Sequence, residues 1–160
     1  MGKKIRPIPE GLHTLTPYLI LRAAPKAIEF YKKAFRAQEI SRSIGPDGKS
    51  ILHANLRIGD SIIMLSDEFP EMSCHSPQSL GGTSVTIHMY VDDVDSTFGK
   101  AVSSGATILM PLIDTFWGDR YGQVLDPFGH RWSLATRKQN LSKEEIERAG
   151  KAFFLKMQSG

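Results

Sequence analysis

The run Thr16-Pro-Tyr-Leu-Ile-Leu-Arg-Ala-Ala-Pro25, continuing through Lys26-Ala-Ile-Glu-Phe-Tyr-Lys-Lys-Ala-Phe35, sets a strand against a helix within about twenty residues. Thr16–Leu21 is rich in aromatic and β-branched residues and reads as a strand. Pro25 suits the first turn of a helix. Ala27, Ile28, Tyr31, Ala34 and Phe35 then recur at the spacing of one helix face. Three strands follow: Gln38–Ile44, Ser50–Arg57 and Ser61–Ser66, the first closed by the turn Gly45-Pro-Asp-Gly48.

The same grammar returns later in the chain. Ser84–Val91 reads as a strand, and Asp93 as the N-cap of a helix carrying Val94, Phe98, Ala101 and Val102. Gly105 ends that helix. Thr107–Leu112, Tyr121–Leu125 and Arg131–Thr136 supply three more strands, the last entered through Asp126-Pro-Phe-Gly129. Corresponding features lie about 67–70 residues apart: Lys33 against Lys100, Met64 against Ser133, Thr16 against Thr86. The expected class is α+β, with two β-α-β-β-β units over residues 12–66 and 84–137. A polar linker, 67–83, joins them. Ser142-Lys-Glu-Glu145 is a capping box opening a C-terminal helix over 141–158, with Ile146, Ala149, Phe153 and Met157 on one face.

With 41% apolar and 23% charged residues, the 160-residue chain has a globular composition. Its single cysteine, Cys74, excludes an intramolecular disulfide framework and fits a reducing, cytoplasmic setting. Net charge is +3, with no stripe of Lys and Arg interleaved with aromatics, so no nucleic-acid partner is expected. The N-terminus has no apolar core of a secretory signal, and apolar runs are too short for a membrane partner.

Strand alternation separates two sheet faces. Leu19, Leu21, Leu52, Ala54, Leu56, Ile63, Leu65, Val85, Ile87, Met89, Val91, Trp132 and Leu134 are expected on the helix-covered side. The other side collects Tyr18, His53, Asn55, Arg57, Met64, Thr86, His88, Tyr90, Arg131 and Ser133. A mixed polar and aromatic surface of that kind suits a small-molecule pocket. Trp117 and Tyr121 can stack on a flat ligand, while Arg120 can pair with an anion or with Asp119. His130 and Gly129 read as a structural turn, and Asp92, Asp93 and Asp95 as charges favoured by a helix N-terminus.

The paired units, together with Ala27-Ile-Glu-Phe-Tyr31, Tyr90-Val-Asp-Asp-Val-Asp95, Phe116-Trp-Gly-Asp-Arg-Tyr121 and Asp126-Pro-Phe-Gly-His-Arg-Trp132, resemble the vicinal-oxygen-chelate superfamily over about residues 12–137. That superfamily includes glyoxalase I, bleomycin-resistance proteins and extradiol dioxygenases, and the chain is most similar to its PhnB-like branch. The resemblance implies an eight-stranded cup-shaped sheet, helices outside it, and a homodimer. It places metal ligands of the superfamily's enzymes at Thr16, Met64, Thr86 and Ser133. None of these suits Zn²⁺, Ni²⁺ or Fe²⁺, so no metal and no cofactor is expected. A displaced divalent-metal site built on His53, His88 and Asp67 is the alternative. The implied function is binding of a small aromatic or anionic molecule by Tyr18, His53, Asn55, Met64, Thr86, His88, Tyr90, Trp117, Arg120, Tyr121 and Ser133. The alternative is a glyoxalase-like lyase or isomerase, or a transferase, with His53 or His88 as general base.

Overall fold

A computed structural model describes residues 5–159. It contains two compact units, divided between Thr83 and Ser84, each with its own four-stranded sheet. The first unit runs β1 (Tyr18–Leu21), α1 (Ala24–Phe35), β2 (Gln38–Ile44), β3 (Ile51–Ile58) and β4 (Ser61–Asp67). A short 3₁₀ turn, Pro70–Met72, and a one-turn helix α2 (Pro77–Leu80) follow. The second unit runs β5 (Thr86–Tyr90), α3 (Val94–Ser103), β6 (Thr107–Asp114), β7 (Asp119–Leu125) and β8 (Arg131–Arg137), then α4 (Lys143–Gln158). The fold is α+β, two βαβββ units with a C-terminal helix.

Both sheets have the same topology. Their strand orders are β1-β4-β3-β2 and β5-β8-β7-β6, with the first pair parallel and the others antiparallel. α1 and α3 each start against a side-chain acceptor on the last strand of their unit. In the first unit Asp67 Oδ1 accepts from Ala24 N (2.7 Å); in the second Thr136 Oγ1 accepts from Val94 N (2.8 Å). Asp93 caps α3 as its sequence position predicts, accepting from Ser96 N at 3.0 Å. The Ser142–Glu145 capping box of α4 is formed in both directions.

The core of the first unit is α1 on its sheet: Ala27, Ile28, Tyr31 and Phe35 against Leu19, Leu21, Ala54, Leu56 and Leu65, all buried. In the second unit Val94, Phe98 and Ala101 of α3 meet Val124, Trp132 and Leu134. Phe98 packs closely against β7 because Gly122 has no side chain: a Cβ there would come within 2.8 Å of Phe98 Cε2. Trp132 is a core residue, 1% exposed, its indole N–H donating to Asp126 Oδ2. The other Asp126 oxygen accepts from Phe128 N and His130 N, which builds the turn that Gly129 completes at φ +89°.

Several sequence expectations are corrected. Leu52 is 41% exposed and Ile51 is buried in its place. The register steps from Ser43–His53 to Ile44–Ile51, so Leu52 is the extra residue of a β-bulge that resets the alternation. Val85 lies outside β5 and is exposed, and Thr16 precedes β1. Within the segment 67–83, Asp67 belongs to β4, and Pro70 and Pro77 each start a helical turn. No helix among the described residues is long and apolar enough to cross a membrane.

Candidate ligand-binding face

Cross-strand register assembles one row of side chains in each sheet, on the side opposite the buried apolar positions. In the first unit the row is Tyr18–Met64–Asn55–Ser41; in the second it is His88–Ser133–Gln123–Met110. Along the first row Asn55 Nδ2 donates to Ser41 Oγ (2.9 Å). His53 reaches over to Tyr18, with Nδ1 3.2 Å from the phenol oxygen and the rings edge to face. Asn55 Oδ1 is buried without a partner among the described residues.

The second unit's face is tied more closely. His88 Nδ1 lies 2.7 Å from Ser133 Oγ, and Ser133 is 2% exposed, so the imidazole is held from beneath. The rings then run in contact: Tyr90 edge-on to His88 (4.6 Å), His88 stacked with Tyr121 (6.0 Å), Tyr121 edge-on to Trp117 (5.6 Å). One carboxylate closes the circuit. Asp119 Oδ2 accepts from Tyr90 Oη (2.9 Å) and Trp117 Nε1 (3.0 Å), while Asp119 itself is only 4% exposed. Gln123 Nε2 donates to Tyr121 Oη at 2.7 Å. The hydrogen bond to Asp119, with burial second, holds the Tyr90 phenol above its ordinary pKa, because ionisation would set two negative charges together.

Of the sequence-derived candidates, the geometry brings together His88, Tyr90, Trp117, Tyr121 and Ser133 in the second unit. In the first it joins Tyr18 to His53 and aligns Met64 and Asn55 in their row. Thr86 stands two residues before His88 on β5, beside Arg131. Arg120 does not join them. Alternation turns it to the other side of β7 from Tyr121, where it pairs with Asp95 of α3 (2.8 Å) and Asp114 of β6 (3.4 Å). Asp119 was missed as a site residue because its neighbour Arg120 suggests an ion pair between them. Placing it on β7, in phase with Tyr121, is the signal that finds it.

The register also bears on metal binding. Met64 stands beside Tyr18 in the first unit, and Ser133 beside His88 in the second. Neither a phenol with a thioether nor an imidazole with a hydroxyl makes the imidazole–carboxylate set that Zn²⁺, Ni²⁺ or Fe²⁺ takes. Asp67 is occupied in both oxygens by backbone donors, Ala24 N and Ile51 N, each at 2.7 Å. Among the described residues no group of three or more His, Cys, Asp or Glu side chains is placed to hold a metal ion. The donor set does not fit.

Comparison with known proteins gives a consistent family. The model of the Glyoxalase/Bleomycin resistance protein/Dioxygenase superfamily matches residues 12–134. An uncharacterized protein of Mycobacterium bovis is 49% identical over 138 residues, 84% of this chain and 90% of its own. The crystal structure of TioX from Micromonospora sp. ML1 superposes with TM-score 0.59 at 28% identity, covering 81% of this chain and all of that one. A Bacillus cereus PhnB protein, a putative 3-demethylubiquinone-9 3-methyltransferase, shares the fold at TM-score 0.60 and 20% identity, over 78% of this chain and 99% of its own.

Proposed function

Since the chain belongs to the Glyoxalase/Bleomycin resistance protein/Dioxygenase superfamily, we propose that it binds a small planar molecule, aromatic or anionic, on the open sheet face, without a metal. The observation that carries this is the ring circuit His88–Tyr90–Trp117–Tyr121 closed by the Asp119 carboxylate. Rings already fixed to each other lose little freedom when a ligand arrives, so stacking is not offset by ordering. Tyr90 is 62% exposed although its phenol is anchored, which leaves a rigid apolar surface facing outward. Tyr18, His53, Asn55 and Met64 present the matching face of the first unit, and Thr86 flanks the second. The working assembly in this reading is a cytoplasmic homodimer.

One observation favours a second reading, a lyase or isomerase. With Nδ1 engaged by Ser133, His88 presents Nε2 as the nitrogen for proton transfer to a bound molecule. His53, its Nδ1 3.2 Å from the Tyr18 phenol oxygen, is the histidine on the first unit's face.

Titration with 1-naphthoate, followed by tryptophan fluorescence before and after EDTA, tests the binding reading. Saturable quenching that EDTA leaves unchanged and that Trp117→Ala weakens about tenfold, the worth of one lost stacking contact, is the expected result. Binding that survives both Trp117→Ala and Tyr121→Ala, or that chelation abolishes, overturns it.

A further inference from the structure

The family match ends at residue 134, before α4 begins, yet α4 is packed against the turn that carries the aromatic circuit. Gly150 is the contact point: buried on α4, it lets Phe116 approach so closely that a Cβ would stand 3.1 Å from Phe116 Cε2. Phe153 adds a ring 5.3 Å from Phe116. Phe116 in turn meets Trp117 edge to face at 4.9 Å. From the other side, the segment leading into α4 grips the same turn. Gly118 O accepts from Lys138 N (2.9 Å) and Gln139 N (3.0 Å), and Gly118, at φ +94°, has no room for a side chain against Gln139 O. The turn between β6 and β7 is therefore held on both sides by residues beyond the family core.

We propose that α4 is a positioning element for the ligand face: Gly150 and Phe116 fix Trp117 and Asp119, and Asp119 carries that constraint to Tyr90. The functional consequence rests on the ligand-face reading; the mechanical coupling does not. A helix added only for stability would not need a glycine at its contact, because glycine is a poorer helix former than alanine in a helix interior. The glycine is kept where Phe116 must come close. Phe116 and Gly150 are positioning residues, since neither lies in the ring circuit.

The full-length protein, with ¹⁵N-labelled indoles, gives two indole N–H signals, from Trp117 and Trp132, assigned through Trp117→Phe. Trp132 is the internal gauge, its indole bound to Asp126 in the core. Phe116→Ala is expected to speed exchange of the Trp117 indole at least about tenfold, with Trp132 within about twofold, as local opening requires. Phe116→Leu is expected to restore most of the protection. Trp117 exchange unchanged in Phe116→Ala overturns the proposal. Should Phe116→Ala release both indoles together, Gly150→Ala decides. Better helix propensity alone slows exchange at both, whereas displacement of Phe116 speeds Trp117 alone. Slowing at both overturns the proposal. Titration with 1-naphthoate separates the two readings. A wild-type protein that fails to bind it refutes the ligand face while the indole result still decides the coupling; where it binds, its affinity falls in the variants that release Trp117.

Discussion

Replacing Asp119 by asparagine tests how much of the aromatic face depends on one carboxylate. In the wild type one buried oxygen accepts two side-chain hydrogen bonds, from Tyr90 and Trp117. A hydrogen bond to a charged acceptor contributes about 1.5–3 kcal/mol and one to a neutral acceptor about 0.5–1.5, so each bond loses about 1 kcal/mol. Tyr90 is largely exposed and its bond is screened by water, which puts the total for Asp119→Asn at about 1.5–2 kcal/mol. For a chain of this length that lowers Tm by about 3–8 °C. The effect is pH-dependent, and its sign is fixed. Folding raises the Tyr90 pKa from 10, so its contribution is complete below about pH 10 and is lost as pH rises through the folded value. Without the Asp119 charge that alkaline loss disappears, so the gap between wild type and Asp119→Asn narrows above pH 10. Urea unfolding at pH 7 and pH 10.5 measures both. A cost below about 0.5 kcal/mol at pH 7, or an equal cost at both pH values, refutes the account.

Gly122→Ala drives a methyl into Phe98, and the overpacking is expected to cost about 1–3 kcal/mol in urea unfolding; Phe98→Leu in the same chain should recover part of it. Ala23, which precedes α1 at φ +64°, holds a left-handed conformation that costs an L-residue about 1 kcal/mol. Ala23→Gly should raise Tm by about 2–4 °C. Glu68 accepts from Ser79 Oγ, Ser76 N and Arg22 Nε, contacts that depress its carboxyl to about 2. Its contribution is therefore present above its unfolded pKa of 4.5 and lost as pH falls through about 2; Glu68→Gln should flatten the acid limb of a stability profile over that window.

Features set by residues three or four apart were legible in the sequence. The cap at Asp93, the box Ser142–Glu145, the apolar stripe of α1 and the Gly129 turn depend on their own neighbourhood, and each forms where its pattern predicts. Features set by a partner strand were not. The bulge at Leu52 arises from the pairing of β3 with β2, and strict alternation along β3 alone puts Leu52 on the wrong side. Arg120 and Asp119 illustrate the same limit in the site. Adjacent opposite charges suggest a pair, but adjacent strand residues face opposite sides, and each finds its partner on another element. The helical turn at Pro77 carries a local signal too, an N-cap at Ser76 followed by a first-turn proline, but it lies in a stretch read only as a polar linker.

The two units keep their scaffold and differ in what they display. At matched positions Asp67 and Thr136 cap the helices through different chemical groups, so the constraint there is an acceptor aimed at a backbone N–H, not a residue type. Both edge strands also carry an extra residue at matched points, Ile40 in β2 and Leu109 in β6. The displayed rows diverge: His88 is secured by Ser133, whereas Asn55 has a bond to Ser41 and a buried oxygen with no partner among the described residues. An unsatisfied buried acceptor costs about 1–3 kcal/mol, which nearly cancels the bond its amide makes. Removing both members together should therefore be almost free. The double substitution Asn55→Leu with Ser41→Ala is expected to change stability by less than about 1 kcal/mol, whereas Ser41→Ala alone, which leaves the amide unpaired as well, costs more. A double variant that loses more than about 2 kcal/mol refutes this, because the Asn55 oxygen must then gain a bond in solution that offsets its burial.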